Sequence, residues 1–109
     1  MKAYRIGEIL LCSFPFSNGQ IKKRPALVVL DYGDNDVLVT RITSHIPQTR
    51  FDYSIMEWQK SGLLLPSIIR ASKIAFLDKT YIERSLGRLE QSDIDTFRPI
   101  LLSIFDTFK

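Results

Sequence analysis

Two runs rich in β-branched residues, residues 25–30 (Pro25-Ala26-Leu27-Val28-Val29-Leu30) and residues 37–44, are separated only by Asp31-Tyr32-Gly33-Asp34-Asn35-Asp36. Asp, Asn and Gly tolerate the backbone angles of a tight reversal, so the two runs must fold back on each other as neighbouring strands of a meander. A third apolar run, residues 8–14, precedes them and is stopped by Pro15. Between the first two strands Asn18-Gly19 can take positive φ cheaply, and Lys22-Lys23-Arg24 avoid burial, which predicts an exposed basic flap.

Beyond the meander, Pro47 ends the third run, residues 51–55 read as a short edge strand, and residues 58–62 as a helical turn or loop closed by Gly62. Residues 67–77 form a long strand whose two faces both mix apolar and polar side chains, as at a sheet edge beside a groove or a partner. Leu77-Asp78-Lys79 lead into a short helical turn, and residues 82–89 make a last strand around Gly87. In the tail, Ser92 is the expected N-cap with Asp93 and Asp95 in the first turn, and Ile94, Phe97, Leu101, Ile104, Phe105 and Phe108 recur on one helical side. Pro99 should kink that helix or restart it. The expected architecture is α+β: a small, strongly bent barrel with one open side covered by a terminal helix.

At 109 residues, 45% hydrophobic, the chain suits one domain over its whole length and excludes a multidomain enzyme. The single Cys12 offers neither an intrachain disulfide nor a Cys-rich zinc site, and a reducing cytoplasm fits. No apolar stretch has the length of a signal peptide core or a membrane span, so a soluble, cytoplasmic protein with no membrane contact is expected. The net charge of +3 is unevenly spread. Residues 1–24 carry Lys2, Arg5, Lys22, Lys23 and Arg24 against Glu8 alone, and residues 59–89 are basic again, which suits two patches flanking one groove for a polyanion.

The motifs of zinc hydrolases, P-loop NTPases and dinucleotide enzymes are all missing, and neither a metal nor another cofactor is implied. What remains is the basic loop ending in Lys22-Lys23-Arg24-Pro25 and a hydroxyl-rich strand end, Arg41-Ile42-Thr43-Ser44-His45. Antiparallel pairing of the second and third strands brings Arg24 opposite Thr43. Arg24 can fork two hydrogen bonds onto a phosphate, Thr43 and Ser44 can donate hydroxyls to its other oxygens, and Lys22 and Lys23 can hold neighbouring phosphates. Such a set suits a phosphodiester, and RNA can be cleaved without a metal when its own 2′-hydroxyl attacks the adjacent phosphorus. An ordinary strand threonine, surface cations and a half-buried loop histidine are the blander reading of the same residues.

Several segments carry a family resemblance: Gly7-Glu8-Ile9-Leu10-Leu11 with Phe14-Pro15-Phe16, Lys23-Arg24-Pro25-Ala26-Leu27-Val28-Val29, Ile42-Thr43-Ser44, Gly62-Leu63-Leu64-Leu65-Pro66-Ser67, Arg70-Ala71-Ser72-Lys73-Ile74 and Leu77-Asp78-Lys79. In this order, across residues 6–105, the sequence resembles the MazF/PemK toxins of type II toxin-antitoxin modules. The resemblance implies a homodimer of SH3-like barrels that acts as a metal-independent, sequence-specific endoribonuclease on single-stranded RNA. It also implies a cognate antitoxin whose acidic tail blocks the RNA groove. By the same resemblance Arg24 and Thr43 match the catalytic arginine and threonine, while Asn18, Gln20, Lys22, Lys23, Ser44, His45 and Arg70 would bind RNA. Some PemK-like members pair an arginine with an aspartate on the later strand. Here Arg70 is present but Ser72 stands at the acidic position, which leaves His45 as the nearest side chain by sequence that titrates around neutral pH. Two other classes remain: a gyrase poison similar to the CcdB toxins, which rely on a tryptophan beside the C-terminus whereas Trp58 is internal here, and an RNA-binding barrel without catalysis.

Overall fold

The hairpin dictated by the turn residues is present, within a six-stranded antiparallel sheet, in a computed structural model that describes residues 3–15, 17–45 and 49–108. Lys2, Phe16 and Pro47, each named above, lie outside the described residues. The strands are β1 (Glu8–Pro15), β2 (Ile21–Leu30), β3 (Asp36–Thr43), β4 (Asp52–Ser54), β5 (Ile68–Asp78) and β6 (Ile82–Arg88), and helix α1 (Gln91–Ser103) follows. Their spatial order is β4-β5-β3-β2-β1-β6. The short β4 lies at an edge as expected. No ladder joins it to β6 among the described residues, so the sheet is open where a barrel would close.

Alternation along the strands feeds two apolar clusters, one on each face. Ile9, Leu27, Ile42, Tyr53, Ile69, Leu89 and Phe97 form the cluster under α1. Leu10, Cys12, Phe14, Ala26, Val28, Val37, Val39 and Leu77 form the other, with Ile82 packed against it. Burial pushes the Cys12 thiol up to about 12. At the mouth of the β2–β3 hairpin the buried Asp31 takes the Lys79 ammonium at 3.0 Å and the Tyr4 and Gly33 amides at 2.7 and 2.8 Å. Burial raises the Asp31 pKa, but these donors outweigh it and hold the carboxyl below its usual range.

Four expectations need correction. The basic flap is shorter than its composition suggests, because β2 begins at Ile21 and the register Phe14↔Lys22, Ser13↔Lys23, Cys12↔Arg24 carries the cations up onto the sheet. The helix is capped two residues before the expected position: Glu90 is the N-cap, with no side-chain bond, and Ser92 lies inside the helix. Of the kink or restart expected at Pro99, the restart does not occur: α1 runs through it to Ser103 before a 3-10 segment, Ile104–Phe108. Ile94, Phe97, Leu101 and Ile104 do pack on the sheet, yet Phe105 and Phe108 are exposed because the tighter 3-10 winding rotates them off the α-helical stripe.

Asp93, in the first turn of the helix as expected, is completely buried. Its carboxylate accepts the Tyr53 hydroxyl and the Met56 and Glu57 amides, the last two at 2.9 and 3.0 Å. Burial, with Asp93 beside it, pushes the Tyr53 hydroxyl up to about 12. This fastens the chain after β4 to α1 and fixes the helical turn that ends at Gly62, where Ser61 N–H bonds to the Glu57 carbonyl. Gly62 has φ +91°, and a Cβ there would lie 2.0 Å from the Leu86 carbonyl oxygen. Only glycine permits the turn to press so closely on β6.

Candidate functional site

A groove of about 580 Å³ opens where the ends of β2 and β3 meet β1, β6 and the segment after Gly62. Its floor follows from strand register. Arg84 is opposite Leu11 on β1, Leu11 is opposite Pro25 on β2, and Ile42 completes the apolar row. Leu63, Leu64, Leu65 and Leu86 wall it, with Leu64 almost fully exposed. Lys23, Arg24, Thr43, Ser44 and His45 stand along it. The β2–β3 ladder is last paired at Ala26↔Arg41, and two further steps in the same register set Arg24 across from Thr43.

The polar groups are partly pre-set. The Thr43 hydroxyl oxygen accepts the His45 amide at 3.2 Å, which orients the oxygen and leaves its proton to donate elsewhere. One arm of the Arg24 guanidinium donates to the Lys23 carbonyl at 2.9 Å, and its remaining donors face solvent. An exposed guanidinium beside hydroxyls, over an apolar floor, can bind a phosphodiester and stabilise charge that develops on its oxygens.

Across residues 5–105 the sequence matches the family of PemK-like, MazF-like toxins of type II toxin-antitoxin systems. The chain belongs to that family. No curated protein matches by sequence. Among solved structures, the MazF-like chain is similar to the Mycobacterium tuberculosis toxin MazF-mt6, with TM-score 0.76 and 18% identity over 91% of this chain and 96% of that one. It is also similar to a MazE–MazF structure from Deinococcus radiodurans, with TM-score 0.74 and 17% identity over 96% and 97% of the two chains. An endoribonuclease in complex with its cognate antitoxin, from a mycobacterial species, superposes with TM-score 0.74 at 17% identity over 90% of each chain. At such identities the likeness speaks for the MazF-like fold.

Of the toxin's sequence-derived site residues, the groove therefore gathers Lys23, Arg24, Thr43, Ser44 and His45. Asn18, Gln20, Lys22 and Arg70 are not among its lining residues. The Asn18 side chain accepts the Gln20 amide in the turn before β2, while Lys22 lies on β2 opposite Phe14. Arg70 sits opposite Asp52 of β4, its Nε 3.3 Å from the Asp52 carboxylate. The carboxylate missing at the exposed Ser72 is thus supplied beside Arg70 by another strand. Burial raises the Asp52 pKa, but hydrogen bonds from Thr49 and Arg70 outweigh it and keep the carboxyl below its usual range. Sequence reasoning missed Arg84 and gave no role to the wall from Gly62 to Leu65. The basic run of residues 59–89 and the family-like segment Gly62-Leu63-Leu64-Leu65-Pro66-Ser67 were signals, and neither says which strand lies alongside. Trp58 packs against the cluster under α1.

Proposed function

We propose that the chain is the toxin of a type II toxin-antitoxin pair and a sequence-specific endoribonuclease that cuts single-stranded RNA in this groove. One observation carries the reading: Arg24 and Thr43, far apart in sequence, meet with Ser44 and His45 over a single apolar floor. The RNA 2′-oxygen attacks the adjacent phosphorus, the bond to the 5′-oxygen breaks, and a cyclic phosphate and a 5′-hydroxyl result. The 2′ proton leaves to a base, for which His45 is the groove's candidate, and the departing 5′-oxygen takes its proton from water in the open groove. Arg24 neutralises charge on the phosphorane oxygens and Thr43 orients the phosphate through its free proton. The nucleophile belongs to the substrate, so the chemistry requires no metal.

In this reading the curled sheet is an SH3-like barrel, two copies form the working dimer, the site of action is the cytoplasm, and a cognate antitoxin with an acidic segment competes with RNA for Lys23 and Arg24. Family membership and the likeness to a MazE–MazF structure support it.

The test is incubation of the purified protein, with EDTA present, on a long single-stranded RNA and on its DNA equivalent, followed by mapping of product ends. Discrete RNA fragments with 5′-hydroxyl ends and untouched DNA are expected. Arg24→Ala should lower kcat by about 10²-fold or more while changing stability by less than about 0.5 kcal/mol, since Arg24 is exposed. Intact RNA with the folded wild-type protein refutes the assignment. RNA bound but uncut would favour a binding barrel, and gyrase inhibition without cleavage a gyrase poison.

A further inference from the structure

Arg84 enters the groove from the side opposite the Thr43 hydroxyl, and no sequence motif points to it. It lies on the edge strand β6, opposite Leu11, between two irregularities of the β1–β6 ladder, one at Ile9/Leu10 and the other at Leu11/Cys12. Such bulges re-aim side chains at the ends of a sheet. The neighbouring Glu83 accepts the Ser13 hydroxyl at 2.8 Å and lies 3.9 Å from the Lys23 ammonium, so that carboxylate is engaged by β1 and β2 and not by Arg84.

Among the described residues the Arg84 side chain makes no hydrogen bond or ion pair, whereas Arg70 is held by Asp52, Arg98 by Asp95, and Arg41 and Arg50 lie over Phe14 and Phe51. An exposed guanidinium facing a groove with its fork unfilled is a ready anion site. Two strand spacings, roughly 10 Å, separate the β6 backbone at Arg84 from the β2 backbone at Pro25, next to Arg24. The floor between them, Leu11 and Pro25, is apolar and carries no charge.

We propose that Arg84 anchors an RNA phosphate adjacent to the scissile one, so that the strand is gripped on both sides of an apolar floor on which the intervening nucleoside lies. The assignment rests on the RNA-cleaving reading of the groove. Arg84 holds substrate equally in the ground and transition states, so it belongs to binding and leaves the chemical step to the other wall.

Cleavage kinetics on a long single-stranded RNA would be compared for wild type, Arg84→Ala and Arg84→Lys, alongside anisotropy binding of a fluorescein-labelled, mixed-sequence 2′-O-methyl RNA that cannot be cut by 2′-attack. Arg84→Ala should raise KM about tenfold with kcat within about twofold, and reduce the slope of log affinity against log salt by about 0.7. Arg84→Lys should restore the salt slope, because it keeps the charge, but only part of the affinity, because the fork is lost. An unchanged KM and salt slope would overturn the proposal while leaving the cleavage reading intact, as would a fall in kcat at constant KM. If wild type binds the methylated RNA but cuts nothing, the cleavage reading fails, and the salt slope of Arg84→Ala still decides the role of Arg84. If wild type neither binds nor cuts, both fail.

Discussion

Replacing Asp93 with Asn is the most discriminating perturbation of the fold. The wild-type carboxylate is completely buried and meets three donors, the Tyr53 hydroxyl and the Met56 and Glu57 amides. Tyr53 and Met56 share Oδ1, and Glu57 takes Oδ2. Asparagine kept in the same orientation retains the shared oxygen but turns an NH2 toward the Glu57 N–H. One charge-assisted bond is lost and one buried donor is orphaned, which together cost about 3 kcal/mol. A domain of 109 residues has about 5–15 kcal/mol in total. With an unfolding entropy of about 2.1 cal/mol/K per residue, Tm should fall by roughly 13 °C, and with an m-value of about 1.5 kcal/mol/M the urea midpoint should fall by about 2 M. Trp58 packs against the cluster that Asp93 helps to close, so its fluorescence can follow the transition beside far-UV circular dichroism. Tyr53→Phe removes one of the donors and should cost about 1–2 kcal/mol alone, but less in the Asp93→Asn background, with a coupling above about 0.5 kcal/mol. A destabilisation below about 0.5 kcal/mol at constant m, or strict additivity in the double variant, would refute the argument that this carboxylate ties the post-β4 turn to the helix.

Two glycines with similar backbone angles should respond very differently to alanine. Gly19→Ala meets open space at φ +82° and should cost only the roughly 1–2 kcal/mol of a left-handed residue, whereas Gly62→Ala adds a collision with the Leu86 carbonyl and should cost clearly more in a thermal melt; equal shifts would show that the turn relaxes freely. The Asp31 carboxyl binds its proton less readily folded than unfolded, so its contribution is complete above the unfolded pKa, near 4, and disappears as pH falls through the lower folded value. Asp31→Asn should therefore be destabilising at pH 7, and the gap in urea midpoint should shrink below about pH 4; a gap that stays constant with pH would contradict the pairing with Lys79.

Local chemistry was legible wherever one stretch of chain decides its own conformation. Turn residues at 31–36 set the β2–β3 hairpin, Gly62 closes its turn, Leu77-Asp78-Lys79 lead into the 3-10 segment, and runs of apolar and β-branched residues marked the strands. The hairpin alone was enough to align Arg24 with Thr43, which is why the heart of the groove could be read early. The failures share another cause. Whether Lys22 to Arg24 form a loop or a strand depends on what β1 offers across the ladder, and the burial of Asp93, on which its place in the first helical turn is silent, depends on donors 36–40 residues away. That Arg70 has Asp52 as its neighbour follows only from the pairing of β4 with β5. Arg84 looked like one more surface cation until β6 closed on β1 and carried it to the end of the groove floor. Local pattern sufficed for the strands, the central hairpin and the alignment of Arg24 with Thr43. Which charges are neutralised and which stay free was settled by packing across the sheet, because neighbours there are set by the register of distant segments and leave no mark in the local pattern.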